Sequence, residues 1–336
     1  MPATTKTASR YDVLGIGNAI VDVISSEDDA FVAAEGLVKG SMSLIDAARA
    51  EDLYERMGPG MEMSGGSAAN TMAGLASLGA KVAFIGKVSE DTLGEVFRHD
   101  IQAIGVAYTT PPLPEEVAPT ARSLVLVTPD AQRTMNTFLG ASVYLGPDDV
   151  DLDMVTAARI TYLEGYLFDR PEAQAAFQKA ARAAHAAGRE VALTLSDTFC
   201  VERHGPEFRA LIDGHVDILF GNENEMQVLF GTSTLEDAFD EVRGLCEVVA
   251  ITRSAKGSLV MHGPTLFEVP AQPVRHLVDT TGAGDQYAAG FLSGYLKGLH
   301  LAECAEIGSI TAAEVIAHYG ARPEVDLAEL VAAKMK

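Results

Sequence analysis

The chain has 336 residues, of which 48% are hydrophobic, so it is long enough to bury a substantial core. Its 25 lysine and arginine residues against 47 aspartate and glutamate residues give a formal net charge of −22, which argues against nucleic acids and anionic membranes as partners. The three cysteines are far apart and no apolar run is long enough for a signal peptide or a bilayer span, so we expect a cytoplasmic protein with reduced thiols.

Residues 1–10 are polar, and we expect them to be disordered. After them, short runs typical of β-strands alternate with longer segments typical of helices. This alternation predicts an α/β fold with a mostly parallel sheet. The strand-like runs are YDVLGIG (11–17), KVAFIGKV (81–88), ITYLEGYL (160–167), EVALTLS (190–196), VDILFGN (216–222) and VVAIT (248–252).

Two regions interrupt the alternation. In residues 121–138, two extended runs flank Pro129, Asp130 and Ala131, which predicts a hairpin. In residues 19–46, two extended runs flank a short helical stretch. We predict that two segments together form a small discontinuous lid, and these are 19–46 and 109–139. We assign the rest to a large nucleotide-binding domain, which comprises 11–18, 47–108 and 140–336.

The stretch DTTGAGDQYAAGFLSGYLKG (279–298) begins a helix with Gly282, Ala283 and Gly284, after a run, VRHLVD (274–279), that predicts a strand. The first turn of a helix has unpaired N–H groups and a positive dipole end, and glycine lets an anion approach them. Asp285 follows directly, and a carboxylate beside an anion is unfavourable unless it accepts a proton during the reaction. The stretch therefore indicates an anion-binding turn with a general base. The alternative is an ordinary helix start with an acidic first turn.

Other glycine motifs do not fit their chemistry. The run GIGNAI has Ile20 where the third glycine of a dinucleotide-binding fingerprint belongs, which disfavours a nicotinamide oxidoreductase. No G-x-x-x-x-G-K-[ST] motif occurs, which disfavours a Walker-type kinase. The eight histidines are scattered, so we expect no tightly bound zinc.

Two long segments resemble the signatures of one family. Residues 64–106, SGGSAANTMAGLASLGAKVAFIGKVSEDTLGEVFRHDIQAIGV, resemble the N-terminal signature of the ribokinase-like (PfkB) carbohydrate and nucleoside kinases, and DTTGAGDQYAAGFL resembles their C-terminal signature. GNAIVDV (17–23) and VDILFGNENE (216–225) are most similar to adenosine kinases. The resemblance implies a three-layer α/β/α fold with a small β-sheet lid. It also implies ATP and Mg²⁺ as cofactors.

The resemblance assigns the catalytic roles. Asp285 is the base that takes the proton from the attacking hydroxyl, and the N–H groups of Gly282, Ala283 and Gly284 hold the developing charge. Arg133, on the hairpin, occupies the position from which adenosine kinases reach the transferred phosphate. The alternative for Arg133 is a solvated charge on the hairpin.

The resemblance also implies the nucleotide and metal contacts. Asn222 and Glu225 match the N-x-x-E motif that organises hydrated Mg²⁺ and the phosphates, although a strand end leading into a capped helix gives the same pattern. Asp279 and Thr281 are similar to a monovalent-cation loop of some relatives, which allows K⁺ as a further cofactor. The expected ATP contacts in TRSAKGS (252–258) and at the turn are Thr252, Ser254, Gly257, Gly282 and Gly284.

Asp22 lies inside an apolar run, where a carboxylate needs hydrogen-bond donors if it is partly buried. The vicinal hydroxyls of a sugar are suitable donors. The resemblance completes the sugar site with Asn18, Gly65, Gly66 and Asn70, although the glycines also fit a tight turn between a strand and a helix. It also places Leu139 and Tyr166 against the base of a nucleoside, whereas the spacing alone favours Tyr166 as a core aromatic.

We therefore expect transfer of the γ-phosphate of ATP to the 5′-hydroxyl of adenosine or a related nucleoside. The alternative substrate within the same chemistry is a sugar of the ribose, fructose or ketodeoxygluconate type. A protein that only binds the nucleoside or sugar is disfavoured by Asp285 and the anion-binding turn. We expect a monomer or homodimer without nucleic-acid or membrane partners.

Overall fold

The structure is a computed structural model, and it describes residues 9–130 and 132–335. Fourteen strands lie in these residues, in two sheets. In chain order they are β1 (Tyr11–Ile16), β2 (Ile20–Ser26), β3 (Met42–Leu44), β4 (Met61–Gly65), β5 (Val82–Ile85), β6 (Ala107–Tyr108), β7 (Ala121–Val127), β8 (Arg133–Phe138), β9 (Ala158–Glu164), β10 (Glu190–Thr194), β11 (Ile218–Asn222), β12 (Val248–Thr252), β13 (Ser258–His262) and β14 (Thr265–Val269).

Twelve α-helices lie in the same part of the chain, together with short 3₁₀ turns that include Gly140–Tyr144, Gly165–Asp169 and Ser254–Lys256. The helices are α1 (Asp29–Ala34), α2 (Ala47–Arg56), α3 (Ser67–Ser77), α4 (Thr92–Ala103), α5 (Leu152–Ala157), α6 (Pro171–Ala186), α7 (Thr198–His215), α8 (Glu223–Phe230), α9 (Leu235–Val242), α10 (Ala283–Leu296), α11 (Leu301–Val315) and α12 (Leu327–Lys334). No helix of the described chain is both long and apolar enough to cross a membrane.

The main sheet has nine strands in the order β14-β13-β12-β11-β10-β9-β1-β5-β6. All neighbours from β6 to β12 pair in parallel, whereas β13 and β14 add an antiparallel edge. Neighbouring side chains of β1 enter opposite core clusters, with Val13 in one and Leu14 in the other, so helices cover both faces. The predicted three-layer α/β/α fold is confirmed.

The second sheet has five strands in the order β3-β8-β7-β2-β4. The predicted hairpin is present as β7 and β8, which pair from Arg122 opposite Phe138 to Val127 opposite Arg133, while Ala131 of the predicted turn lies outside the described residues. The assignment of residues 47–108 to the large domain is wrong for β4, which pairs antiparallel with β2. Met61 and Glu62 of β4 are exposed, so this strand lacks the apolar run that marks the buried strands.

Three further expectations concern the ends of elements. Residues 1–8 lie outside the described residues, whereas Arg10 is ordered by a hydrogen bond from its N–H group to the Ala157 carbonyl (2.8 Å). The run ITYLEGYL is only partly a strand, because β9 ends at Glu164 and the next residues form a 3₁₀ turn. The predicted strand 274–279 is absent, because its amides at Val278 and Asp279 donate to the Ile316 carbonyl beyond α11 instead of pairing with a strand.

The topology collects polar residues at one edge of the main sheet. Strands β1, β9 and β11 are parallel and end at this edge, where Asn18, Glu164 and Asn222 follow or finish them. Ligands of parallel α/β sheets bind outside the carboxyl ends of the strands. This edge is therefore the place to look for the functional site.

Candidate active site

The N-termini of two helices meet at Asp285. Asp285 lies in the first turn of α10, and Ser67 and Asn70 lie in the first turn of α3. Ser67 Oγ donates to Asp285 Oδ1 (2.6 Å), and Asn70 Nδ2 donates to Asp285 Oδ2 (3.3 Å). The carboxylate is therefore held in a fixed orientation by a helix 218 positions earlier in the chain.

The turn before Asp285 has the shape that an anion site needs. Gly282 has a left-handed backbone (φ 76°), and a Cβ there would lie 2.6 Å from the Ala321 Cα, so only glycine fits. A Cβ on Gly284 would meet no atom within 4 Å, so the turn is open on that side. The Ala283 N–H group donates to the Thr280 carbonyl (3.2 Å), whereas those of Gly282 and Gly284 have no acceptor in the described chain. Two of the three predicted N–H donors are therefore free for an anion.

Burial raises the pKa of Asp285 from its ordinary value of 3.8 to about 6. The hydrogen bonds from Ser67 and Asn70 oppose this increase in the pKa, and the negative charge of Asp22 adds to it. A carboxylate whose pKa lies near neutrality can take and release a proton under physiological conditions. The environment of Asp285 therefore suits a general base.

Asp22 faces the same space from the second sheet. A Cβ on Gly65 would lie 2.4 Å from Asp22 Oδ2, so glycine is needed there for the carboxylate to lie against the backbone. Burial raises the pKa of Asp22 to about 6, while the positive charges of Arg322 and Arg133 act in the opposite direction. No group in the described chain donates a hydrogen bond to Asp22, so its acceptors are available to a ligand.

The turn after Gly65 connects the two sheets. Gly66 precedes α3 with φ 99°, and a Cβ there would lie 2.2 Å from the Asn18 carbonyl oxygen. The predicted sugar residues are therefore neighbours in space, and Asn70 connects them to Asp285, because its N–H group donates to the Gly66 carbonyl (2.8 Å) and its Nδ2 donates to Asp285. These residues are Asn18, Asp22, Gly65, Gly66 and Asn70. The tight-turn interpretation of the glycines is confirmed, and a sugar site at the same residues stays a prediction.

Glu164, which no sequence motif indicates, holds this turn through hydrogen bonds with Asn18 and Ala68. Its Oε1 accepts hydrogen bonds from Asn18 N (3.2 Å) and Asn18 Nδ2 (2.7 Å), and its Oε2 accepts one from Ala68 N (2.7 Å). Burial raises the pKa of Glu164 to about 7, although all three hydrogen bonds favour the ionised form. A charged residue ending a buried strand is the signal that could have identified it.

Arg322 is a second site residue that no sequence pattern indicates. It lies between α11 and α12, and its side chain reaches Asn70 and Asp100. No periodicity or local motif marks such a residue, because its partners lie 252 and 222 positions away.

Arg133 is not a solvated charge. Only 7% of its side chain is exposed, and its guanidinium lies over the Tyr319 ring, 5.1 Å from the ring centre. It forms an ion pair with Asp279, a residue of the expected cation loop. Asp279 Oδ1 also accepts hydrogen bonds from Thr281 N (3.0 Å) and Thr281 Oγ (2.8 Å). The hairpin therefore contacts the loop that leads into the anion-binding turn.

Asn222 and Glu225 form the reciprocal cap of α8. Asn222 N and Nδ2 donate to the two Glu225 carboxylate oxygens (2.8 and 2.6 Å), and Glu225 N donates to Asn222 Oδ1 (2.9 Å). Burial raises the pKa of Glu225 to about 7, and the charge of Asp197 adds to this increase. Because both carboxylate oxygens already accept hydrogen bonds, these residues fit a hydrated cation that they contact through water.

The other expected ATP contacts lie beside this cap. Thr252 of β12 is directly opposite Asn222 of β11, so the loop after Thr252 starts at the same edge. Within that loop, Ser254 and Gly257 both have left-handed backbones, with φ of 51° and 85°. The anion-binding turn, the cap and this loop are thus the candidate nucleotide surface.

The two expected base contacts have different surroundings. Tyr166 lies in the 3₁₀ turn after β9, and its N–H group donates to Ser196 Oγ (3.3 Å). Burial raises the pKa of Tyr166 well above 10, and the carboxylates of Asp197 and Asp285 add to this increase. Leu139 is half-buried and precedes the 3₁₀ turn after β8. A base wall formed by Leu139 and Tyr166 stays a prediction.

The chain is similar to known kinases over most of its length. Residues 38–327 match the family model of the pfkB family carbohydrate kinases. The chain is 51% identical to the crystallised adenosine kinase from Sinorhizobium meliloti, with 97% of this chain and 99% of that chain covered and a TM-score of 0.88. It is 48% identical to a probable sugar kinase from Rhizobium etli, with 97% and 98% covered and a TM-score of 0.88. It is 30% identical to an ATP-dependent ribose-1-phosphate kinase from Halopiger xanaduensis, over 78% of this chain and 83% of the relative.

Proposed function

Because the chain belongs to the pfkB family of carbohydrate kinases, we propose that it transfers the γ-phosphate of ATP to the 5′-hydroxyl of adenosine or a related nucleoside. The observation that supports the reaction best is the position of Asp285, directly behind two free N–H groups and held by Ser67 and Asn70. A base and an anion site in this arrangement suit the deprotonation of an alcohol next to a phosphate.

In the proposed reaction, Asp285 takes the proton of the 5′-hydroxyl as its oxygen attacks the γ-phosphorus. A bond forms between that oxygen and phosphorus, the bond from phosphorus to the β-phosphate oxygen breaks, and ADP leaves. The N–H groups of Gly282 and Gly284 donate to the phosphoryl oxygens as their negative charge develops, and Arg133 adds a positive charge. The proton on Asp285 then passes to solvent.

Kinases of this family use ATP with a divalent metal. We propose Mg²⁺ held through water by Asn222 and Glu225, which when bound neutralises the charge of the phosphates. We further propose K⁺ as an activator at Asp279 and Thr281. Replacing K⁺ in the assay by tetramethylammonium at constant ionic strength should lower kcat. Unchanged kcat would remove K⁺ from the proposal.

The nucleoside assignment is supported by Asp22 and by the adenosine kinase at 51% identity. The free acceptors of Asp22 suit the vicinal 2′- and 3′-hydroxyls of a ribose, and this position leaves the 5′-hydroxyl to point at Asp285. A sugar of the ribose, fructose or ketodeoxygluconate type is the second candidate. It is supported by the similarity to a probable sugar kinase and to a ribose-1-phosphate kinase.

A substrate panel tests this assignment. Adenosine, other nucleosides, ribose, fructose and ketodeoxygluconate are each offered with Mg-ATP, and the release of ADP is measured. We expect the highest kcat/KM for adenosine, because stacking and burial of the base contribute about 1–3 kcal/mol that a free sugar lacks. If ribose or fructose equals adenosine in kcat/KM, the sugar kinase assignment replaces the nucleoside one.

A substitution in the proposed base wall gives a second test. Tyr166→Ala should raise the KM for adenosine and leave the KM for a free sugar nearly unchanged. The matched control is Tyr144→Ala, because Tyr144 is 45% exposed and has no place in the proposed site. Equal effects of the two substitutions on adenosine would exclude Tyr166 from the base wall.

We propose that the enzyme acts in the cytoplasm as a monomer or homodimer on a small-molecule substrate. The net charge of −22 supports the proposed lack of nucleic-acid and membrane partners. Sedimentation analysis of the purified protein would distinguish the monomer from the dimer.

A further inference from the structure

Arg322 enters the proposed sugar site from the C-terminal part of the chain. It lies in the loop between α11 and α12, and only 15% of its side chain is exposed. Nη1 donates to Asp100 Oδ2 (3.0 Å), and Nε donates to Asn70 Oδ1 (3.4 Å). One guanidinium therefore contacts both α3 and α4.

The contact with Asn70 selects one of two amide orientations. The oxygen and nitrogen of an asparagine side chain can exchange places by a flip, and the hydrogen-bond partners decide between them. A guanidinium only donates, so it requires the amide oxygen on its own side. The Asn70 Nδ2 group then faces Asp285 Oδ2 at 3.3 Å. Arg322 and the ionised Asp285 therefore favour the same orientation of the amide, in which the base accepts a hydrogen bond.

The contact with Asp100 supports the other side of the glycine turn. Asp100 Oδ2 accepts hydrogen bonds from Ser64 N (2.8 Å) and Ser64 Oγ (2.5 Å), and Ser64 directly precedes Gly65. Arg322 is therefore connected to the residues before and after the turn against which Asp22 lies. Removal of Arg322 would disturb the two sides together.

Arg322 also supplies charge to Asp22. Two positive charges, those of Arg322 and Arg133, lower the pKa of Asp22, and the negative charge of Asp22 in turn raises the pKa of Asp285. Arg322 has the larger effect of the two arginines. Its Nη2 is buried and has no hydrogen-bond partner in the described chain, so part of its donor capacity is unused.

We propose that Arg322 is a positioning residue for the sugar site, which fixes the Asn70 amide with its NH₂ group toward Asp285, holds Asp100 beside Ser64 and adds a positive charge to the surroundings of Asp22. The inference rests on the proposed function, because it takes Asp285 as the base and Asp22 as the acceptor of the substrate hydroxyls. In this role Arg322 does not have to contact the substrate or a phosphate group, because it acts through its hydrogen bonds to Asn70 and Asp100.

Three variants separate the two roles. Arg322→Met removes charge and donors, Arg322→Lys restores the charge without the planar fork, and Arg322→Gln restores a donor without the charge. The control is Arg203→Met, which removes an exposed arginine whose hydrogen bonds in the described chain are with Asp169 and not with Asn70 or Asp100. For each protein, the KM for the acceptor, the KM for ATP and kcat are measured from pH 5 to 8.

Arg322→Met should raise the KM for the acceptor roughly 10- to 100-fold, the size expected for loss of a charge-assisted hydrogen bond, with little change in the KM for ATP. The pH below which the KM for the acceptor increases should move upward, because Asp22 loses its main counter-charge. Arg322→Lys should keep the pH dependence of the unsubstituted protein, whereas Arg322→Gln should show the same upward shift as Arg322→Met. A folded Arg322→Met protein with the kinetics and pH dependence of Arg203→Met would overturn the inference.

Two further choices keep the test decisive. If Arg322→Met does not fold, Asp100→Asn weakens the same ion pair while Arg322 stays in place, and it should raise the KM for the acceptor without moving its pH dependence. An unchanged KM for the acceptor in Asp100→Asn counts against the positioning role. All assays use the best acceptor of the substrate panel. If that acceptor is a sugar, the nucleoside proposal fails while the Arg322 variants still test the positioning role.

Discussion

Arg133 of β8 and Asp279 of the loop before α10 form an ion pair, with 2.8 Å between Arg133 Nη1 and Asp279 Oδ2. The pair connects the small sheet to the loop that leads into the anion-binding turn. Arg133 Nε and Nη2 are buried and have no hydrogen-bond partner in the described chain. Unused guanidinium donors beside an anion site are suited to a phosphoryl group, which arginine binds by two parallel hydrogen bonds.

The first prediction concerns Arg133. Arg133→Met should lower kcat by about 100-fold or more, because a positive charge facing the transferred phosphoryl group is lost. Arg122→Met is the matched control, since Arg122 lies in the neighbouring strand, is buried to a similar extent and pairs with Glu51 instead. Turnover is measured by ADP release at saturating substrates. Similar kcat values for the two variants would show that Arg133 serves only the packing of the small sheet.

The second prediction concerns the base. Asp285→Asn should lower kcat roughly 100- to 10,000-fold, the usual contribution of a general base, because an amide cannot take the proton. Binding of ATP, measured by calorimetry, should stay nearly unchanged. Asp46→Asn is the control, because Asp46 caps α2 at the surface and asparagine caps a helix equally well. A kcat for Asp285→Asn close to that of the control would remove Asp285 from the mechanism.

The third prediction is the pH dependence of catalysis. Asp285 must be ionised to accept a proton, and its pKa is raised to about 6. kcat/KM should therefore be constant above about pH 7 and should fall as the pH decreases through 6, with apparent pKa values that belong to the coupled Asp22 and Asp285 pair. Because the charge of Asp22 raises the pKa of Asp285, Asp22→Asn should move the titration of Asp285, followed by NMR, to lower pH. A decline of kcat/KM that begins only near pH 4 would show that Asp285 has an ordinary pKa.

The fourth prediction concerns Glu164. Its two oxygens accept three N–H groups, and glutamine has only one accepting oxygen. Glu164→Gln should therefore leave a buried donor unpaired and lower the free energy of unfolding in urea by about 1–3 kcal/mol. The exposed Glu172→Gln should have a far smaller effect. Equal unfolding free energies for the two variants would contradict the proposed support of Asn18 by Glu164.

Much of the fold could be predicted because its signals are local. Strands buried on both faces are continuous apolar runs, and helices separate them, as in β9, β10 and β12. The run 274–279 has valine and leucine in common with these strands but also contains Arg275 and His276. No strand of the described chain pairs with it, and Leu277 is 66% exposed. Strand β4 is the opposite case. Its backbone pairs with β2, but its side chains do not form the apolar pattern that predicts a strand.

In the candidate site, too, the residues that belong to a local sequence pattern could be predicted and the others could not. Gly282 and Asp285 belong to one contiguous stretch whose backbone chemistry can be understood without knowing the fold. Glu164 and Arg322 act through hydrogen bonds to residues distant in the sequence, such as the one from Asn18 Nδ2 to Glu164 across 146 positions. Such contacts leave no periodicity in the sequence, so the residues around the base emerge only with the three-dimensional structure.

The hydrogen bond from Ser67 to Asp285 joins positions 218 residues apart, and Arg322 reaches back to Asp100 across 222. During synthesis the glycine turn and α3 leave the ribosome long before the residues that complete the site exist. Contacts of such separation form late, because a long loop must close before they contribute any stability. The nascent chain can thus assemble most of its main sheet while it has no base next to Ser67. Phosphoryl transfer therefore has to wait until α10, which carries Asp285, has been made and has packed against α3.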